Sequence, residues 1–210
     1  MNVNLLNYQC PYPKKMNSGK GREVKCDCKN NPWACKDFFN LKKTLKVRLK
    51  KDFDSTCAFC QRTLAEDEDI IIDIEHVLPK HKYVCYCFDY RNLVISCRRC
   101  NTGAQKGTRT DFINYLISSD KYDESVDFSL DNYKFIHPKY ENTRNYYELD
   151  CLQSGRSVFM RYSILQAHPK LKYTFDFFNL KKLERGSMDD CARILKQLES
   201  KYKKYLPEKI

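Results

Sequence analysis

The chain has 210 residues, of which 42% are apolar and 31% charged, with 38 Lys and Arg against 27 Asp and Glu for a net charge of +11. No run approaches the ~20 apolar residues of a spanning helix, and residues 1–7 lack the basic-then-apolar order of a secretory signal. Membrane, secreted and disordered classes are therefore set aside, and a cytoplasmic globular protein that meets an anionic partner is expected. Nucleic acid heads that list, since a basic surface gains by releasing counterions from phosphate; a solubilising surface is the plain alternative.

In chain order, residues 1–52 come first. Residues 1–35 hold Pro11, Pro13, Gly19, Gly21 and Pro32 and read as irregular. Cys10, Cys26, Cys28 and Cys35 lie there, open to a second zinc or to core and free-thiol roles. From Asp37, a candidate N-cap, Phe38, Leu41, Leu45 and Leu49 repeat at helical spacing. The other faces carry Lys42, Lys43, Lys46, Arg48, Lys50 and Lys51, which suits either a solvated face or a grip on a nucleic-acid backbone.

Residues 53–115 form the second part. Ile70-Ile71-Ile72-Asp73-Ile74 predicts a strand ended by Pro79, and Asn92-Leu93-Val94-Ile95-Ser96 predicts its partner. The loop between them, residues 77–91, is long for a hairpin and so a candidate for function. A helix is expected over residues 108–118, with Phe112, Tyr115 and Leu116 on one side. Residues 116–210, the third part, read as mostly helical. Residues 120–131 look loop-like, and a final helix over 188–205 is introduced by a Ser187/Asp190 capping box.

The chain holds 12 cysteines, and four of them are ordered. Cys57 and Cys60 form one CxxC, and Cys97 and Cys100 form another. Each CxxC places two thiolates on a tight turn, and two such turns complete a tetrahedral zinc site. In a reducing compartment this reads better than disulfides or four unrelated core cysteines. Cys85 and Cys87 are a poor fit to that site and read as core or free thiols.

The acidic-His pair Glu75-His76 ends the first strand, Asn92 opens the second, and Asn101 follows the last cysteine. With the run Ile74-Glu75-His76-Val77-Leu78-Pro79-Lys80, the segment from Arg91 through Asn101 and the Lys106-Gly107 pair, this resembles the zinc-bearing HNH endonucleases. Among these it is most similar to the nucleases of the Septu and retron anti-phage systems. The resemblance is specific over residues 55–112 and weaker at 137–147 and 177–189.

The resemblance implies an α+β fold: a ββα-metal core with a four-cysteine zinc site, flanked by N- and C-terminal helical segments. It implies a metal-dependent endonuclease on DNA (RNA is not excluded), the effector of a defence system, with an ATPase as a further partner. His76 is the candidate base, since an imidazole near neutrality accepts a proton from water. Glu75 and Asn101 are the candidate ligands of a hard Mg²⁺ or Mn²⁺ ion, which takes oxygen donors and keeps several waters. Asn92 is assigned to the catalytic set as the residue that fixes the loop. Asp73 shares strand parity with Glu75, as an outer partner or as a solvent-facing residue. Arg98, Arg99, Lys106 and Arg109 are the candidate nucleic-acid contacts. One departure is that residues 102–105 separate Asn101 from Lys106, where the family spaces them more closely. Strict alternation also points residues 75 and 76 to opposite faces, so the strand is expected to deviate before Pro79. The competing readings are a zinc-ribbon binding module without catalysis and a nuclease subunit active only in a complex.

Overall fold

The protein is described by a computed structural model covering residues 32–34, 38–65, 71–116 and 122–203. Cys10, Cys26, Cys28, Cys35 and the expected N-cap Asp37 lie outside those residues.

The first helix, α1 (Phe39–Asp52), follows the sequence periodicity. Leu45 and Leu49 are fully buried, and Phe38 and Leu41 pack beside them. Lys50 and Lys51 close its last turn, where cations complement the free carbonyls. The chain then reverses through Asp54 and Ser55, both left-handed at φ 45° and 49°.

Strand β1 (Ile72–His76) pairs antiparallel with β2 (Leu93–Cys97), in register from Ile72↔Cys97 to His76↔Leu93. β1 lies two residues later than the β-branched run suggests. All five β2 residues are buried, which explains why this strand lacks polar alternation. A four-residue helix, α2 (Arg98–Asn101), follows at once.

The helix expected over 108–118 does not form: residues 108–116 are turns and an isolated bridge between Ile113 and Tyr133. The backbone there bonds to a distant segment instead. Asn114 N–H donates to the Asn132 carbonyl at 2.9 Å, and Lys134 N–H to that of Phe112 at 2.9 Å. Phe112 is buried, but Tyr115 is 62% exposed, so the apolar face that would stabilise a helix is missing.

The C-terminal part is less helical than expected. After α3 (Glu124–Asp127), strands β3 (Tyr147–Ser154) and β4 (Ser157–Ile164) form a hairpin. Gly155 opens its two-residue turn at φ +57°, as such turns require. Two helices follow, α4 (Leu171–Phe178) and α5 (Met188–Tyr202). α5 starts with the anticipated Ser187/Asp190 capping box and packs against the β3–β4 hairpin. Gly186 before it has φ +74°, and a Cβ there would meet the Val158 carbonyl at 2.7 Å.

One buried apolar cluster runs from α1 through the β1–β2 pair to α4. Phe59, inside the first CxxC, stacks on Phe178 of α4 with centroids 4.4 Å apart. The C-terminal part therefore reaches directly onto the cysteine turn.

Candidate metal centre and active-site cleft

Cys57 and Cys60 sit on a turn after α1, and Cys97 and Cys100 flank the start of α2. The turn is closed by Gln61 at φ 59°, whose N–H donates to the Cys57 carbonyl at 3.0 Å. Ala58 N–H donates to Ile95 O at 3.0 Å, which docks the turn on β2. The four sulfurs are buried and lie within 4.8 Å of one another. Cys60 Sγ and Cys97 Sγ are 3.7 Å apart, against about 3.8 Å for two thiolates 2.3 Å from one tetrahedral zinc. The donor set and spacing fit a closed metal site. Burial pushes the Cys57 thiol up, but hydrogen bonds from the other three thiols outweigh it and lower Cys57 well below its usual value. The guanidinium of Arg99 donates to Cys100 Sγ at 3.8 Å and to the Asn179 carbonyl at 2.8 Å, bringing a cation to the thiolates.

The turn's carbonyls are held from the C-terminal part, which sequence reasoning missed. Thr143 Oγ1 donates to Ala58 O at 3.0 Å, Tyr147 Oη to Phe59 O at 2.7 Å and Tyr162 Oη to Cys60 O at 2.8 Å. No local signal announces such contacts, because their partners lie at least 85 residues away. Cys85 is disulfide-bonded rather than free, whereas Cys87 is a buried thiol that burial pushes up to about 12.

A cleft of about 390 Å³ lies along β1, from Asp73 through His76 and on to Pro79 and Lys80. Asp73, Glu75, His76, Lys80 and Asn101 border it, with Trp33 and Thr108 on its walls. The pairing of β1 stays regular through His76, so the expected deviation does not occur within the ladder, yet both members of the Glu75-His76 pair reach the same cleft.

His76 is buried, and its Nε2 lies 2.9 Å from the Cys87 carbonyl. A carbonyl only accepts, so Nε2 carries the proton and Nδ1 carries the lone pair. Burial, helped by Lys80, lowers the imidazole to about 3, which keeps it neutral. The Trp33 ring meets it edge to face, with centroids 4.6 Å apart. The carbonyl partner is fixed by Asn92, whose Oδ1 accepts from Leu78 N–H at 2.6 Å. The Asn92 amide also donates to Leu78 O at 3.1 Å and Tyr86 O at 3.2 Å. Tyr86 in turn donates its hydroxyl to Asp127 at 2.8 Å, which anchors the long loop to α3.

On the odd face of β1, Asn101 Nδ2 donates to Asp73 Oδ2 at 3.0 Å. Glu75 is ion-paired to Lys106, whose ammonium also donates to the His76 carbonyl at 2.5 Å. Lys106 is fully buried. Burial pushes the Glu75 carboxyl up and the Lys106 amine down, each offset in part by the other's charge. Asp73 and Glu75 offer carboxylate oxygens and Asn101 an amide oxygen, the donor class of a hard divalent ion, and so fit Mg²⁺ or Mn²⁺ rather than a soft metal.

The four candidate nucleic-acid contacts are placed differently from one another. Arg98 is exposed. Arg99 faces the thiols, Lys106 is sealed against Glu75, and Arg109 lies 3.9 Å over the Phe177 ring and pairs with Asp111. Lys80, which sequence reasoning left without a role, borders the cleft. Its signal was its place directly after Pro79, at the end of the strand that carries Glu75 and His76.

Two curated proteins match this chain. The "Septu protein PtuB" of Bacillus thuringiensis is 36% identical over 64 residues, covering 30% of this chain and 24% of that protein. The "Retron Vc95 putative HNH endonuclease" of Vibrio cholerae serotype O1 biovar El Tor is 30% identical over 114 residues, covering 51% of this chain and 53% of that protein. The chain is related to the HNH nucleases of bacterial defence systems. It spans about a quarter of the length of the first relative and about half that of the second. No family model matches it. No helix among the described residues is long and apolar enough to cross a membrane.

Proposed function

We propose that the chain is a metal-dependent HNH endonuclease that hydrolyses DNA phosphodiester bonds as the effector of an anti-phage defence system. The observation that carries this reading is the locked tautomer of His76. The Cys87 carbonyl holds Nε2–H, which leaves the lone pair on Nδ1 of a residue that lines a cleft bordered by two carboxylates and an amide. A binding module has no use for an imidazole oriented this way.

In this reading the oxygen of a cleft water bonds to phosphorus while His76 Nδ1 accepts the water's proton. The bond from phosphorus to the 3′ oxygen breaks, leaving a 5′-phosphate and a 3′-hydroxyl, the latter protonated from solvent. A divalent ion held by Glu75 and Asn101 would supply neutralisation of the phosphate charge and of the leaving oxygen. Asn92 keeps the loop, and with it the Cys87 carbonyl, in position. Cys57, Cys60, Cys97 and Cys100 hold a structural zinc that takes no part in the reaction, since four thiolates leave no open position.

The test is supercoiled plasmid with Mg²⁺ or Mn²⁺, run beside His76→Ala, with an RNA substrate in parallel. Wild type should nick or linearise the plasmid and the variant should not. Equal cutting by both would remove His76 from the mechanism. Adding a candidate ATPase partner tests whether the chain works only in an assembly.

A further inference from the structure

The positive charge expected at the substrate phosphate is mostly engaged elsewhere. Arg99 bonds to Asn179 O and to Cys100 Sγ. Arg109 is held by Asp111 and by the Gln105 carbonyl. Lys106 has no exposed surface and donates to Glu75 and to the His76 carbonyl. None of these three offers its charge to a ligand without breaking an internal contact. Arg98 is exposed but does not border the cleft.

Lys80 differs on each count. It is half-exposed and borders the same cleft as Glu75, His76 and Asn101. No side chain or carbonyl among the described residues pairs with its ammonium. Its backbone is nonetheless fixed, because the Pro79 carbonyl accepts from Lys82 N–H at 3.0 Å and Tyr83 N–H at 2.9 Å. Glu75 is matched by Lys106, whereas Asp73 is bonded only to the neutral amide of Asn101. Among the described residues that border the cleft, Lys80 alone brings a cation that no side chain or carbonyl pairs with. Thr108, exposed on the same rim, adds a neutral hydroxyl donor.

We propose that Lys80 grips a backbone phosphate of the nucleic-acid substrate at the mouth of the cleft, the role that sequence spacing suggested for Lys106. This rests on the nuclease reading above. It makes Lys80 a positioning residue that recognises phosphate and no particular base.

The experiment measures binding of fluorescein-labelled single- and double-stranded DNA by anisotropy across a salt series, in a His76→Ala background without added Mg²⁺. Lys80→Ala should weaken binding roughly three- to tenfold and reduce the slope of log K against log salt by about 0.7 to 0.9, the signature of one lost phosphate contact. Lys80→Arg should restore both. Lys172→Ala, on an exposed α4 residue paired with Asp176, should change neither. An unchanged affinity and slope in Lys80→Ala would overturn the inference while leaving the nuclease reading in place. So would a loss that Lys80→Arg fails to restore, accompanied by a lower melting temperature. If the parent binds no DNA and the wild type cuts none, the nuclease reading itself fails, and this inference with it.

Discussion

The β1–β2 ladder carries two donor clusters of opposite character. At the Ile72↔Cys97 end four thiols converge, buried and braced by three side chains from the C-terminal part. Along β1 from Asp73 to His76, oxygen donors and one imidazole border an open cleft. The thiol cluster is closed by its own fold: four buried sulfurs face one another, and the carbonyls of residues 58–60 are satisfied. The oxygen end keeps a carboxylate buried only because Lys106 neutralises it. Sulfur and packing build the closed cluster, and oxygen with a borrowed cation builds the open one, on the same pair of five-residue strands.

The largest test of that contrast is at the thiol end. Cys97→Ser should lower bound zinc by one equivalent in elemental analysis and abolish cooperative unfolding, since structural zinc contributes on the order of 10 kcal/mol to folding. A well-folded, zinc-free Cys97→Ser protein would sink the comparison. The next test is at the oxygen end. His76→Ala should leave the circular dichroism spectrum and the zinc content intact while DNA cleavage falls by about 10² to 10⁴-fold, the range of a lost general base. Lys106→Met comes third. It leaves Glu75 buried without its partner, and should destabilise the chain by about 3 kcal/mol in urea unfolding. Adding Mn²⁺ should recover part of that loss if the ion takes over the charge of Glu75, and a variant as stable as the wild type would show that the pair is not needed.

How much of this could be read from sequence differs between the two ends for a physical reason. The thiol cluster is written in local spacing, because each CxxC is a single turn and only the pairing of the two is long-range. The capping box of α5 and the apolar face of α1 are local for the same reason. The Glu75-His76 pair, Asn92 and Asn101 were visible as a pattern, but their bonds were not. That Asn101 meets Asp73, and Lys106 meets Glu75, depends on where the turn after α2 folds back. Lys106 looked like a surface cation because nothing in its neighbours announces burial. The β3–β4 hairpin was missed because β3 alternates exposed Glu, Asp and Cys residues with few strong β-formers. Gly155 at the two-residue turn and the β-formers Val158, Phe159, Tyr162 and Ile164 of β4 were its marks, without a partner strand of matching strength. The helix expected over 108–118 failed in the opposite way. Phe112, Tyr115 and Leu116 have helical spacing, yet only Phe112 enters the core.

The smallest effect is one of pH, and it concerns the neutral imidazoles that both ends of the molecule keep out of water. Burial lowers His76 and His137 to about 3, with Lys80 acting on the first and Lys170 on the second. His137 makes its state legible in another way. Its Nδ1 accepts from Tyr140 N–H at 3.1 Å and Lys139 N–H at 3.3 Å, which a protonated ring could not do. In the unfolded chain each histidine takes up a proton near pH 6.5, whereas in the folded chain each stays neutral until about pH 3. The unfolded state therefore binds more protons throughout that window. Stability is full above pH 6.5 and falls as pH drops through it, by about 1.4 kcal/mol per pH unit for each histidine. Urea midpoints at pH 7, 6, 5 and 4 should fall progressively, and His137→Gln should flatten the slope by about half. A slope that His137→Gln leaves unchanged would mean that the ring is already charged in the fold, and the backbone turn at 137–140 would then need a different account.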